Sequence, residues 1–159
     1  MKELLNLGTG IQVTNVIIIL CSLLVVIYLI RFIIKRKRTM IPEHFDNLEG
    51  HEFEHYCAEL LRKKGFIDVE VTKGSGDYGA DILAEKDGVT YAIQCKCYTA
   101  PIGIKAIQEA YAGRDYYDRM VGAVLTNQYF TTPAVEAAKK LKILLWDRGY
   151  LESMLEEAE

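Results

Sequence analysis

The chain holds 159 residues, half of them hydrophobic and 26% charged, with a formal net charge of −3. That is room for one ordinary domain and an appendage, and it excludes a multidomain enzyme. The average hides two materials: Leu4–Ile30 carries no charged residue and Arg31–Met40 carries five cations and no acid, whereas after Met40 there are 13 basic and 21 acidic residues, a balance of −8 that excludes a broad basic nucleic-acid surface.

The apolar run Ile11–Ile30 predicts a single transmembrane helix over about residues 11–34, because about 20 helical residues at roughly 1.5 Å each cross the hydrocarbon layer. A cleaved signal peptide would want a basic start, a shorter apolar core and a small-residue cleavage site, whereas here the cluster of cations follows the apolar run and no such site is present. Lys35-Arg36-Lys37-Arg38 belongs on the cytoplasmic side by the positive-inside rule. The expected location is therefore the cell (inner) membrane, single-pass, with the N-terminus outside and the rest of the chain cytoplasmic. Residues 1–38 form the anchor with its basic flank, 39–47 a linker, and 48–159 the main domain.

Within that domain, Phe53, Tyr56, Cys57, Leu60 and Leu61 recur at helical spacing and Gly65 supplies a stop, which predicts a helix over Leu48–Lys64. Three strands are expected next, Ile67–Lys73, Ala80–Lys86 and Val89–Cys97, separated by the glycine-rich Gly74–Gly79 and by Asp87-Gly88, a hairpin turn signal. The period then changes, giving helix over Gly103–Tyr117, a buried strand at Val121–Thr126, helix over Thr132–Leu141, strand at Ile143–Trp146 and a short acidic helix. The order is αβββαβαβα. Cys21, Cys57, Cys95 and Cys97 show no secreted disulfide pattern. Cys95 and Cys97 share a strand face, either as packing or as half of a metal site.

Three motifs stand out. His51-Glu52-Phe53-Glu54-His55 fits H-E-x-x-H, in which two histidines one turn apart hold zinc and the glutamate is the base, but both histidines project away from the apolar stripe, and the remaining histidine, His44, lies in the linker. A zinc metallopeptidase is thus a minor alternative. Gly74, Gly76 and Gly79 spell G-x-G-x-x-G, yet a strand rather than a helix follows them, which favours a turn over a dinucleotide site. The third constellation is geometric. If Asp87-Gly88 is a two-residue turn, partners across the hairpin sum to 175, so Asp81 lies opposite Gln94 on one face, and Lys96 shares that face. A carboxylate, an amide and an ammonium in an otherwise apolar strand pair are costly to desolvate unless they serve each other or a ligand. Glu54, at the edge of the apolar stripe of the first helix, can reach the sheet.

Phe53-Glu54, Gly76-Asp77-Tyr78-Gly79-Ala80-Asp81 and Gln94-Cys95-Lys96, in an αβββαβ order, resemble the Mrr-type restriction endonuclease catalytic domain of the PD-(D/E)XK nuclease superfamily. The resemblance spans about Glu52–Leu151. It implies an α/β, restriction-endonuclease-like core with a mixed central sheet flanked by helices, and a magnesium-dependent, type II restriction-like deoxyribonuclease acting on DNA. It further implies Glu54, Asp81, Gln94 and Lys96 as the catalytic set. Gln94 stands where the superfamily usually has a second acid, as in the Mrr branch, and a transmembrane helix replaces a DNA-recognition domain.

On that reading Mg²⁺, with Mn²⁺ as a substitute, is expected at Asp81, the Gln94 side-chain oxygen, the Cys95 carbonyl and Glu54, since magnesium favours oxygen ligands and retains waters. Lys96 would orient the attacking water or hold charge on the phosphate. Candidate substrate-binding residues are Asp77, which also reads as a turn cap, Tyr78, Lys105 and Gln108, with Lys73, Arg114 and Tyr98 nearby. The expected partners are DNA, the membrane and a second copy of the chain in a homodimer. The competing reading is a catalytically inactive, membrane-tethered DNA-binding or assembly module of the same fold.

Overall fold

The structure is a computed structural model that describes residues 20–30, 45–73, 76 and 78–156. Residues 20–30 form a separate helical stretch whose apolar side chains, Leu23, Leu24, Val25 and Val26 among them, are exposed. Among the described residues no helix is long and apolar enough to cross a membrane. Most of the span expected over residues 11–34, together with the basic flank and His44, lies outside the described residues.

From Phe45 onward the chain builds a five-stranded sheet in the order β1-β2-β3-β4-β5, flanked by four helices. Helix α1 (Gly50–Lys63) starts with a capping box in which Glu49 and Glu52 satisfy each other's backbone N–H groups, and it buries Phe53, Cys57, Ala58, Leu60 and Leu61. Strands β1 (Ile67–Val71), β2 (Ile82–Lys86) and β3 (Val89–Lys96) pair antiparallel. The β2–β3 partners run from Lys86↔Val89 to Ile82↔Ile93, the register predicted from the turn. Asp87 and Gly88 both adopt positive φ, +54° and +76°, as a two-residue turn with right-handed twist requires.

After β3 the connection crosses over through α2 (Ile104–Tyr116), so β4 (Val121–Thr126) runs parallel to β3, and a second crossover through α3 (Thr132–Leu141) sets β5 (Ile143–Trp146) parallel to β4. Thr131 caps α3 by accepting from the Ala134 N–H. Helix α4 (Arg148–Glu156) closes the domain. Ala106, Ile107 and Ala110 of α2 pack with Val124, Ala134, Ala138 and Ile143 in one continuous apolar cluster. Their small volumes let α2 lie close to the sheet.

The domain begins earlier than the sequence pattern places it. Phe45 and Asp46, expected in a linker, are built into the fold: Phe45 is 1% exposed and the Asp46 carboxylate meets the Arg148 guanidinium through two hydrogen bonds of 2.8 Å. Arg148 also donates to Glu152 at 2.9 Å and to the Asn127 carbonyl at 3.0 Å, while Asn127 donates to Asp46. This network ties the domain's first residues to its last helix. A single aromatic followed by an acid carries no periodicity, so the pattern could not reveal it.

Candidate active site

The candidate residues gather where β3 ends and β2 begins. Asp81 precedes β2, and its backbone is pinned on both sides, donating to the Ile93 carbonyl at 2.9 Å and accepting from the Thr72 N–H at 2.9 Å. Thr72 adds a side-chain bond to the Ala80 carbonyl. The Asp81 carboxylate therefore projects along a fixed direction although it belongs to a loop. It is 5% exposed and Gln94 3%. Asp81 Oδ2 accepts from the Gln94 amide and from the Cys95 backbone N–H, the latter at 2.7 Å.

The Gln94 nitrogen lies between two oxygens, Asp81 Oδ2 and the Cys95 carbonyl, the second at 3.5 Å. Nitrogen and oxygen of an amide exchange places by a half-turn of the side chain. That half-turn would bring three oxygens together where a donor now sits, an environment a cation satisfies and a proton donor satisfies in its place.

Lys96 follows on the same face. Its ammonium pairs with Glu109 Oε2 of α2 at 2.9 Å, and the two side chains are 19% and 29% exposed. Burial pulls the Lys96 ammonium toward its neutral form, but the hydrogen bond and charge of Glu109, with the charge of Asp81, outweigh it and leave its pKa raised. Lys96 is a stable cation.

Cys95, on the opposite face, meets Cys57 of α1, and that hydrogen bond, burial and the charges of Cys57, Asp81 and Glu54 push its thiol well up. Cys95 and Cys57 are both buried free thiols, and Cys97, half-buried, donates to the Phe45 carbonyl at 3.4 Å. Glu54 approaches from α1, and its Oε2 meets His51 Nδ1 at 3.0 Å.

The H-E-x-x-H match does not form a zinc site. Glu52, the base that motif needs, is turned back to the Glu49 N–H at 3.1 Å, and His51 and His55 are exposed and meet each other at 3.2 Å. Among the described residues no group of three or more His, Cys, Asp or Glu is arranged to hold a metal ion.

The remaining candidates are spread out. Tyr78 is exposed and stacks on Tyr116 at 3.8 Å. Lys73, Lys105, Gln108 and Tyr98 are exposed, and Asp77 lies outside the described residues. Arg114, named above beside the candidate substrate-binding residues, is bound to Asp115 and the Leu141 carbonyl and lies over the Tyr111 ring.

Glu109 is the residue the pattern missed. In a helix rich in small residues, Gln108 and Glu109 compete for the inward position without a strong apolar stripe to decide between them; the structure turns Glu109 to the sheet and Gln108 to solvent. The backbone packs there too: a Cβ on Gly79 would lie 2.8 Å from the Glu109 carbonyl carbon, and one on Gly113 would lie 2.5 Å from the Gly79 carbonyl carbon. Only glycines permit α2 and the loop leading to Asp81 to touch this closely.

A mixed sheet in this order, with a buried carboxylate just before β2 and an amide and an ammonium at the end of the central strand β3, is a fold of the restriction-endonuclease-like kind. The Mrr_cat restriction endonuclease family model matches residues 45–155, and the chain belongs to that family. Two solved structures are similar. One, a crystal structure of a protein of unknown function, AF1548, is 26% identical with a TM-score of 0.58, over 69% of this chain and 66% of that one. The other, the DNA modification-dependent restriction endonuclease AspBHI, is 20% identical with a TM-score of 0.51, over 67% of this chain and 30% of its own, a likeness of fold. No curated protein matches the chain.

Proposed function

We propose that the chain is a membrane-anchored, Mg²⁺-dependent DNA endonuclease, with Asp81, Gln94, Lys96 and Glu54 as its working residues. The observation that carries this reading is the buried Asp81–Gln94 contact beside Lys96, within a domain of the restriction endonuclease family. The anchor rests on the charge-free Leu4–Ile30 and the cations that follow it. The positive-inside rule then puts the nuclease domain in the cytoplasm.

The donor set fits magnesium. Asp81, the Gln94 oxygen after an amide half-turn, the Cys95 carbonyl and, directly or through water, Glu54 would hold it, a set with few carboxylates that suits an ion keeping several waters. When bound, the metal lowers the pKa of a coordinated water and polarises the phosphate. The chain's own part is electrostatic and positional: Asp81, fixed by its backbone bonds, sets where the charge sits, and Lys96 holds negative charge developing on the phosphate.

Plasmid nicking by the full chain in mild detergent tests this. Cleavage in Mg²⁺ or Mn²⁺, abolished by EDTA and by Asp81→Ala or Lys96→Ala in folded protein, is the expected result; full turnover in either variant refutes it. A second reading, an inactive tethered DNA-binding or assembly module, is favoured by one detail: the Gln94 donor already satisfies Asp81 without a cation. Absence of cleavage with retained DNA binding would select that reading.

A further inference from the structure

Lys96 has two carboxylates within its reach. Asp81 lies opposite Gln94, so Lys96 is its diagonal neighbour across the strand pair, a separation of roughly 7–8 Å between Cα atoms that a lysine stem spans easily. The charge of Asp81 already acts on it. An ammonium on Asp81 would occupy the oxygen that a divalent cation needs. The structure shows the ammonium elsewhere, 2.9 Å from Glu109 Oε2 on α2.

We propose that Glu109 is a positioning residue that holds Lys96 away from Asp81 and so keeps the metal site open, an inference that rests on the nuclease reading above. Three features fit this role. Glu109 comes from a different element than either partner, so its position is set by helix packing and not by the hairpin. That packing is rigid, because the Glu109 backbone lies directly against Gly79 and Gly113 against Gly79 and Ala80. The pair is also partly shielded, with both side chains half-buried, so solvent weakens it less than it weakens the 3.7 Å pair between Glu109 and Lys105, whose side chain is 88% exposed. Glu109 therefore acts on the metal site through Lys96.

Metal affinity, read by calorimetry with Mg²⁺ on the full chain in detergent, tests this without reference to turnover. Glu109→Ala is expected to weaken Mg²⁺ binding by about tenfold, in the range usual for groups that orient a metal's ligands. In a Lys96→Ala background the same substitution is expected to change affinity by less than about twofold, since no ammonium remains to be released. Lys105→Ala, removing the exposed pair, is expected to leave affinity within about twofold of wild type. Equal weakening by Glu109→Ala in both backgrounds, which a direct electrostatic or purely structural role predicts, overturns the proposal, as does unchanged affinity in the wild-type background. Wild-type protein that binds no Mg²⁺ overturns the parent reading and this one with it.

Discussion

Gly113→Ala reverses the sign that helix propensity assigns. Gly113 lies in the interior of α2, where alanine is favoured over glycine by about 1 kcal/mol. Here the new methyl would lie 2.5 Å from the Gly79 carbonyl carbon and 2.8 Å from the Ala80 nitrogen, and closer still to the Gly79 carbonyl oxygen. These are backbone atoms, so no rotamer change relieves them. Restoring ordinary contact requires the helix and the loop to separate by about 1 Å, and overpacking of this kind costs roughly 1–3 kcal/mol. With the propensity gain subtracted, a net loss near 1 kcal/mol is expected, equivalent to about 3–6 °C in Tm for a domain of this size. Urea unfolding followed by circular dichroism measures it, with Gly50→Ala as the control because nothing lies within 4 Å of a Cβ there. Plasmid nicking should fall further than the folded fraction does, since the displaced loop leads directly to Asp81. A Gly113→Ala protein as stable as wild type would refute the packing argument.

Arg148→Met should cost about 2 kcal/mol at neutral pH, between the values for exposed and buried pairs, since it strands Asp46 and the buried Glu152. The Arg148 hydrogen bond, against burial and together with that of Asn127, holds the Asp46 pKa below its usual value, so this stabilisation is complete above the unfolded carboxylate pKa and is lost as pH falls through the folded one. Melting curves of the two proteins should therefore converge in acid, and a gap that widens below about pH 4 would contradict the assignment. Gln94→Glu removes the donor to Asp81 and sets a second carboxylate against it, so the metal-free protein should lose about 1–3 kcal/mol. Mg²⁺ should then raise its Tm more than it raises that of wild type; equal shifts would place the ion elsewhere.

The hairpin was legible because its two halves count outward from one turn: Asp87-Gly88 fixes the phase, and alternation then brings Asp81, Gln94 and Lys96 to one face. The parallel half of the sheet was readable from its apolar runs and from the change of period between them. Two features escaped because they depend on tertiary packing and not on period. Glu109 is chosen over Gln108 by where α2 settles on the sheet, and that in turn depends on Gly79 and Gly113, residues 34 positions apart in the chain. Asp46 finds Arg148 across 102 residues, a partnership that no local pattern encodes. Ends of elements moved for a related reason: Ala80 and Asp81, expected in β2, precede it because Thr72 draws their backbone into loop contacts.

The Asp87-Gly88 turn touches none of the reacting groups, yet it is their gauge. Six residues of extended chain separate Asp87 from Asp81, about 20 Å at strand spacing. Inserting a single residue beside that remote, solvent-facing bend, with the two-residue turn retained, would leave both strands free to pair but shift every rung by one. Asp81 would then face away from Gln94 while the turn's sequence still looked harmless. Length at this bend is therefore under the same constraint as the chemistry itself, and a loop that ordinarily tolerates insertions becomes, in this domain, part of the active site's measure.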